Sequence, residues 1–320
     1  MRQTGEWSTG PAVVALGGGH GLAATLRALR RVTDAVTAVV GVSDDGGSSG
    51  RIRRELGLIP PGDLRMALAA LCGDDTWGRT WSQVLQHRFE GDGELSGHAL
   101  GNLLISALWQ ETGDAVMGLD WVAALLEAQG RVLPVANEPV DLIADVRGLD
   151  GGSALSTLRG QVAIATTTGQ VEALYIEPAD PKPCPQVAEA LSRARLIVLG
   201  PGSWFTSVLP HLHVRQVRQA LVESDARKVL VVNVAAQVGE TTGFTASKYL
   251  HNLASSFPEV RLDDVIVDPS SVVDEGRLRR ACAAVGASVV IEDVRASDGG
   301  TLLPVHDSLM LAAVFGRLLQ

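Results

Sequence analysis

Aromatic residues are scarce, at 4% of a 320-residue chain. That scarcity removes the stacking platforms on which single-stranded nucleic acids are held. Only three cysteines occur, Cys72, Cys184 and Cys282. Their odd number and wide separation exclude a disulfide framework and paired metal spacings, so each thiol is read as packing, in keeping with a reducing, cytoplasmic setting. No uninterrupted apolar run reaches about 18 residues, and no membrane span is expected. Cationic residues are in deficit: 27 Lys and Arg face 36 Asp and Glu, for a net charge of −9. Such a chain lacks the basic face that nucleic acid or an acidic membrane would need. An anionic small molecule is not excluded, because main-chain amides and a few arginines can hold a phosphate on an acidic protein.

Hydrophobic residues make up 46% of the chain, enough for a sizeable core. Short Val- and Ile-rich runs at 12–16, 35–42, 195–200, 228–234 and 264–268 predict fully buried strands of a parallel sheet. Between the first two, "GLAATLRALRRV" repeats Leu22, Leu26 and Leu29 at helical spacing, so the opening reads as a βαβ unit. The expected fold is α/β, a Rossmann-like, mostly parallel sheet flanked by helices. A helical insertion is expected at about 62–130 and a small β-rich insertion at about 131–177. Residues 1–11 are expected as a disordered tail and 12–320 as a single domain. Further helices are expected at 213–223, from Thr245 as N-cap, and over 307–319.

Five polar stretches carry the candidate site. Gly17, Gly18, Gly19, His20 and Gly21 join a strand to a helix, where free amides and the helix dipole favour an anion. Counted from Gly17, Leu22 stands at the third glycine of the dinucleotide fingerprint, and no Walker lysine follows. The second stretch holds Asp44, Asp45, Gly46, Gly47, Ser48 and Ser49, adjacent carboxylates able to orient hydroxyls or hold a hard cation. Arg51 and Arg65 flank it as candidate phosphate clamps. His98 and Asn102 lie four apart, on one face of an expected helix. Gly200, Pro201, Gly202 and Ser203, with Thr206, repeat the first logic at another strand end, and Asn233 follows a further strand. A serine-hydrolase elbow is not expected, nor an oxidoreductase.

The segments "VVALGGGHGLAATLRALRR", "AVVGVSDDGGSSGRIRRELGLIPPGDLRMALAAL", "HRFEGDGELSGHALGNLLISAL", "LIVLGPGSWFTSVLPHL" and "VNVAAQVGETTGFTASKYL" resemble the YvcK family of gluconeogenesis factors, related to CofD-type 2-phospho-L-lactate transferases. The resemblance implies a Rossmann-like core and a UDP-N-acetylglucosamine-like ligand. It also implies a cytoplasmic role in cell shape and wall metabolism, exercised through a protein partner, with no established catalysis, no catalytic residue and no required cofactor. It assigns to the pocket Gly17 to Gly21, Asp44 to Ser49, His98, Asn102, Gly200 to Ser203, Thr206 and Asn233. His20 stands where the family usually has Thr, and Val305 where a basic residue precedes His306-Asp307. The alternative reading is a CofD-like transferase with Mg²⁺ on Asp44 and Asp45. A homodimer is expected, with the apolar helix at about 98–109 as a candidate interface.

Overall fold

The computed structural model describes residues 10–149, 152–237 and 239–320; the tail expectation for 1–9 lies outside them. β1 (Val13–Gly17) runs through Gly18 into α1 (Gly19–Leu29), and β2 (Val36–Val40) is followed by α2 (Gly47–Leu56). Next come α3 (Gly62–Leu71), α4 (Thr76–Gln86), α5 (Leu100–Thr112) and α6 (Ala115–Leu125). β3 (Arg131–Pro134) precedes a small antiparallel unit of β4 (Asp141–Arg147), β5 (Leu155–Arg159), α7 (Gln161–Ala165) and β6 (Gln170–Glu177). α8 (Pro185–Arg193) leads to β7 (Leu196–Leu199), a π-helical turn Trp204–Val208, α9 (Leu209–His213) and α10 (Arg215–Glu223). β8 (Arg227–Val231), α11 (Ala246–Ser256), β9 (Asp264–Val267), α12 (Glu275–Ala284) and β10 (Ser288–Ile291) continue the alternation. A hairpin of β11 (Arg295–Asp298) and β12 (Thr301–His306) precedes α13 (Ser308–Leu318).

The main sheet has seven parallel strands in the order β10-β9-β8-β7-β1-β2-β3. All five apolar runs lie in it, and β1, β7 and β9 are buried at every position, as strands covered by helices on both faces must be. The chain winds outward from β1 to β3, then returns to β7 beside β1 and winds the other way. Its topological switch point therefore falls between β1 and β7, where an open α/β sheet forms its ligand crevice. The three free thiols are buried, and burial pushes each up to about 11, which leaves them as packing groups.

Several expected boundaries move. Arg131–Pro134, expected in the β insertion, pairs in parallel with β2 as an edge strand of the main sheet. Its Pro134 fits there because an edge tolerates a missing amide. The serine–glycine stretch expected as a loop becomes the first turn of α2. Thr245 does precede α11, but its side chain makes no capping bond. Asp307 caps α13 by accepting from Leu309 and Met310.

Candidate functional site

The glycine turns that follow the two central strands, β1 and β7, meet at the switch point. Gly19 takes the left-handed conformation, φ 57°, and Gly200, φ 70°, does so on the neighbouring strand. The turns touch through main chain. A Cβ on Gly21 would stand 2.2 Å from the Pro201 carbonyl oxygen and 2.7 Å from Gly202 Cα. A Cβ on Gly202 would lie 3.7 Å from the Gly18 carbonyl oxygen, so both turns open at one rim. Thr25 of α1 donates to the Gly200 carbonyl at 3.1 Å and fastens them. His20 is exposed in the first turn of α1.

Asn233, just past β8, accepts from the Gly202 amide at 3.0 Å and donates to its carbonyl at 2.7 Å. It holds the shape of the turn with the same side-chain amide expected to face a ligand. Ser203 precedes the π-helical turn, and Thr206 is buried within it.

Gly46 and Gly47 open α2, so this glycine cluster also marks a strand-to-helix entry. Asp44 accepts from the Gly46 amide at 3.0 Å. Asp44 Oδ2 and Ser49 Oγ crowd Gly62, whose Cβ would lie 2.9 and 2.3 Å from them. Asp45 turns away. It accepts from the Val162 amide at 3.0 Å and packs on Gly160, anchoring the antiparallel unit. The two aspartates are thus not brought together as a cation pair, and no cluster of three or more His, Cys, Asp or Glu fit for a metal occurs among the described residues.

The carboxylate that joins Asp44 is Asp63, in the first turn of α3. A Cβ on Gly18 would meet Asp63 Oδ2 at 2.4 Å and Ser207 Oγ at 3.5 Å. Burial, and then the charge of Asp44, push Asp63 up to about 7, against the pull of the Gly19 amide and Arg65. Asp63 lies outside the five polar stretches read from the sequence. Its approach to Gly18 depends on α3 packing against α1, which no local pattern records; the signal available was the run Pro60-Pro61-Gly62-Asp63.

Arg65, His98, Asn102 and Ser48 form a closed buried network. Arg65 Nε donates to Asn102 Oδ1 at 2.8 Å, and Asn102 Nδ2 donates to Ser48 Oγ at 3.0 Å. Ser48 Oγ also accepts from the Ala99 amide at 3.4 Å. Its single proton therefore goes to His98 Nδ1, 3.0 Å away, which fixes a neutral imidazole. Burial, with Arg51 next, holds His98 below its ordinary value. His98 precedes α5 rather than lying in it, because the helix starts only at Leu100; the pair is united by Ser48, not by a helix face. Arg65 is 4% exposed, and its Nη1 is unpaired among the described residues. Burial and the charge of Arg88 lower it to about 10. The expected clamp thus works as a brace on the first turn of α2. Arg51 instead donates to a surface loop, to the carbonyls of Ser96 at 2.7 Å and Glu94 at 3.4 Å.

Gly46-Gly47-Ser48-Ser49-Gly50 does spell the G-x-S-x-G of a hydrolase elbow, a match the sequence reading overlooked. The left-handed residue is Gly47, φ 45°, instead of the serine, and Ser48 is 3% exposed with its hydroxyl committed. The pentad is a helix start, not an elbow.

Glu240 also escaped the sequence reading. It is 3% exposed, and burial pushes it up to about 7 despite the hydroxyls of Thr206 and Ser203 and the amides of Phe205 and Trp204 around it.

These features define a doubly wound α/β protein whose strand ends at the switch point carry apposed glycine turns and an acidic pair. The profile of the CofD family, 2-phospho-L-lactate transferase CofD, matches residues 13–302. A relative from Mycobacterium tuberculosis (strain ATCC 25618 / H37Rv) is 49% identical over 306 residues, 94% of this chain and 88% of its own. The gluconeogenesis factor of Bacillus subtilis (strain 168) is 36% identical over 265 residues, 83% of this chain and 81% of that protein. A crystal structure of a UPF0052-family member from Bacillus halodurans superposes with a TM-score of 0.84 at 34% identity, covering 95% of this chain and 99% of that one. The chain belongs to the CofD family, within its gluconeogenesis-factor (YvcK) branch. Among the described residues no helix is long and apolar enough to cross a membrane.

Proposed function

We propose that this protein binds a nucleoside-diphosphate sugar of the UDP-N-acetylglucosamine kind, and acts as a ligand-dependent regulator linked to cell-wall metabolism under gluconeogenic growth. The observation that carries this reading is the main-chain contact of Gly21 with Pro201 and Gly202. It joins the turns of the two central strands into one rim, open to a group that spans both. The diphosphate lies along that rim, near the starts of α1 and α2, where helix ends favour negative charge. Asp44 accepts from ligand hydroxyls. The ligand stabilises the folded chain by mass action, by about 2.7 kcal/mol at a hundredfold excess over its dissociation constant. Thermal-shift titration with UDP-N-acetylglucosamine, GDP-mannose and NAD tests it. Stabilisation by the UDP-sugar above the other two is expected; no stabilisation at millimolar ligand would reject the reading.

A transferase reading is favoured by one observation, the approach of Asp63 to Gly18 beside Asp44. In that reading Asp44 and Asp63, in place of Asp45, hold Mg²⁺ together with ligand phosphate oxygens and water. The ion would neutralise diphosphate charge as a phospholactyl-type group moves from the donor's diphosphate to a deazaflavin hydroxyl, the P–O–P bond breaking to release a nucleoside monophosphate and the hydroxyl proton passing to solvent. Incubation with deazaflavin, nucleotide-activated donor and Mg²⁺, followed by mass spectrometry, decides between the two: an adduct supports transfer, and unchanged reactants with tight sugar binding support regulation.

A further inference from the structure

Glu240 lies in the irregular stretch between β8 and α11, with Gly239 at φ 108° and Gly243 at φ 73° on either side. Gly239 is packed on the end of α7, where a Cβ would stand 2.4 Å from the Ala165 carbonyl oxygen. The stretch is thereby folded against the end of α7, and the Glu240 side chain is buried beside Ser203 and the π-helical turn that follows it. The carboxylate faces the Thr206 and Ser203 hydroxyls and the Phe205 and Trp204 amides. Neither of its oxygens completes a hydrogen bond among the described residues, and Thr206 Oγ1 is also left unpaired. A buried carboxylate short of partners is a costly arrangement for a chain to keep. Here it stands before the donors by which this turn would hold an anion.

We propose that Glu240 is a built-in anion at the Gly200–Ser203 turn, and that a ligand phosphate engages those donors only when Glu240 is protonated. The proposal rests on the reading that a diphosphate lies across the strand ends. Coulomb repulsion between a phosphate and a carboxylate at one desolvated set of donors forbids both charges together, so the carboxyl group takes up a proton as the ligand enters.

The groups facing Glu240 do not offer another source of such behaviour. The π-helical turn presents hydroxyls and amides, and the end of α7 presents main-chain carbonyls against Gly239. In its own stretch Gln237 and Thr241 bond to each other and do not ionise. α11 presents the Tyr249 phenol, which burial raises above its ordinary value of 10, so it stays neutral near pH 7. Asp63, at the other turn, titrates in the same range as Glu240 and needs its own control.

The test uses Glu240→Gln, equal in size and unable to ionise, with UDP-N-acetylglucosamine as probe, because both its phosphates keep constant charge between about pH 6 and pH 8. For one required proton on a group titrating near 7, the affinity of the parent protein rises about tenfold from pH 8 to pH 6. E240Q holds its pH 6 affinity at pH 8 and there binds about tenfold tighter than the parent. Asp63→Asn, with Glu240 intact, keeps the Glu240-dependent rise. An E240Q that binds equally or more weakly at pH 8 overturns the proposal. If no variant binds the sugar nucleotide, the functional reading fails, and sulfate then judges Glu240 alone. Greater thermal stabilisation of E240Q than of the parent by sulfate at pH 8 supports the built-in anion, and equal stabilisation rejects it.

Discussion

Gly21→Ala and Gly18→Ala add the same methyl group three residues apart and should have opposite effects. At Gly21 the new Cβ meets Pro201 O at 2.2 Å, Pro201 C at 2.6 Å and Gly202 Cα at 2.7 Å, all main chain. That turn cannot retreat: β7 holds one side of it, Thr25 grips the Gly200 carbonyl and Asn233 grips Gly202 on both its polar groups. Overpacking against fixed backbone reaches the upper part of the usual range, about 3 kcal/mol. In a chain of 320 residues that lowers the melting temperature by about 4–5 °C. At Gly18 the methyl meets only the tip of Asp63, at 2.4 Å, on a residue whose φ of −160° any side chain adopts. A carboxylate tip can swing aside, so stability changes by less than about 1 kcal/mol. The swing takes the Asp63 carboxylate away from the Gly19 amide, and by the same charge argument as for Glu240 G18A therefore retains or tightens binding of UDP-N-acetylglucosamine. Differential scanning fluorimetry and isothermal titration on the two variants make the comparison. A G21A protein that melts within a degree of the parent, or a G18A protein as unstable as G21A, would refute the claim that the turns are apposed through main chain.

Asn102→Leu removes both the acceptor of Arg65 and a donor to Ser48, leaving a guanidinium buried without its partner; a loss of about 3 kcal/mol in urea unfolding is expected. Adding Arg65→Met should restore part of that loss, and full additivity of the two changes would show that they do not share a network. Asn233→Ala frees the Gly202 amide and carbonyl and should cost about 1–2 kcal/mol while loosening ligand binding, read by titration calorimetry. Acid stability follows from opposed groups. His211, His213 and His306 are each lowered to about 4, chiefly by burial, so the unfolded chain protonates first and stability falls as pH drops from about 6.5 to 4. Asp63 and Glu240, raised to about 7, protonate first in the folded chain and add stability as pH falls from 7 toward their ordinary values near 4. Among these five groups, three protons against two leave a net loss of roughly 1.4 kcal/mol per pH unit across the shared window, and His98, also held low by burial, acts in the same direction. E240Q should steepen that loss; a parent whose urea midpoint rises steadily from pH 6 to pH 5 would contradict it.

Local patterns made the frame legible. Five buried strands showed as short Val- and Ile-rich runs because a strand covered on both faces has no polar side to advertise. The glycine turns showed because strand-to-helix entries need residues that accept left-handed backbone, as Gly19 and Gly200 do. What stayed hidden was set by packing between distant segments. Asp63 reaches Gly18 only because α3 lies on α1, and Glu240 is buried only because its stretch folds onto α7. Arg131–Pro134 was grouped with the strands after it by shared composition, which cannot tell a parallel edge from an antiparallel insertion. Arg65 and Arg51 read as phosphate clamps because a sequence records a guanidinium but not the carbonyl or amide that already occupies it.

The seven-stranded sheet runs without a break through the seam between β1 and β7, where Val13 to Leu16 pair with Leu196 to Leu199. A clamshell of two lobes closing on a guest would have to tear that ladder, so the molecule has no such hinge. On the regulatory reading proposed above, occupancy would be signalled through the outline of the rim itself, and the loops above the seam would be where another macromolecule senses whether the guest is at home.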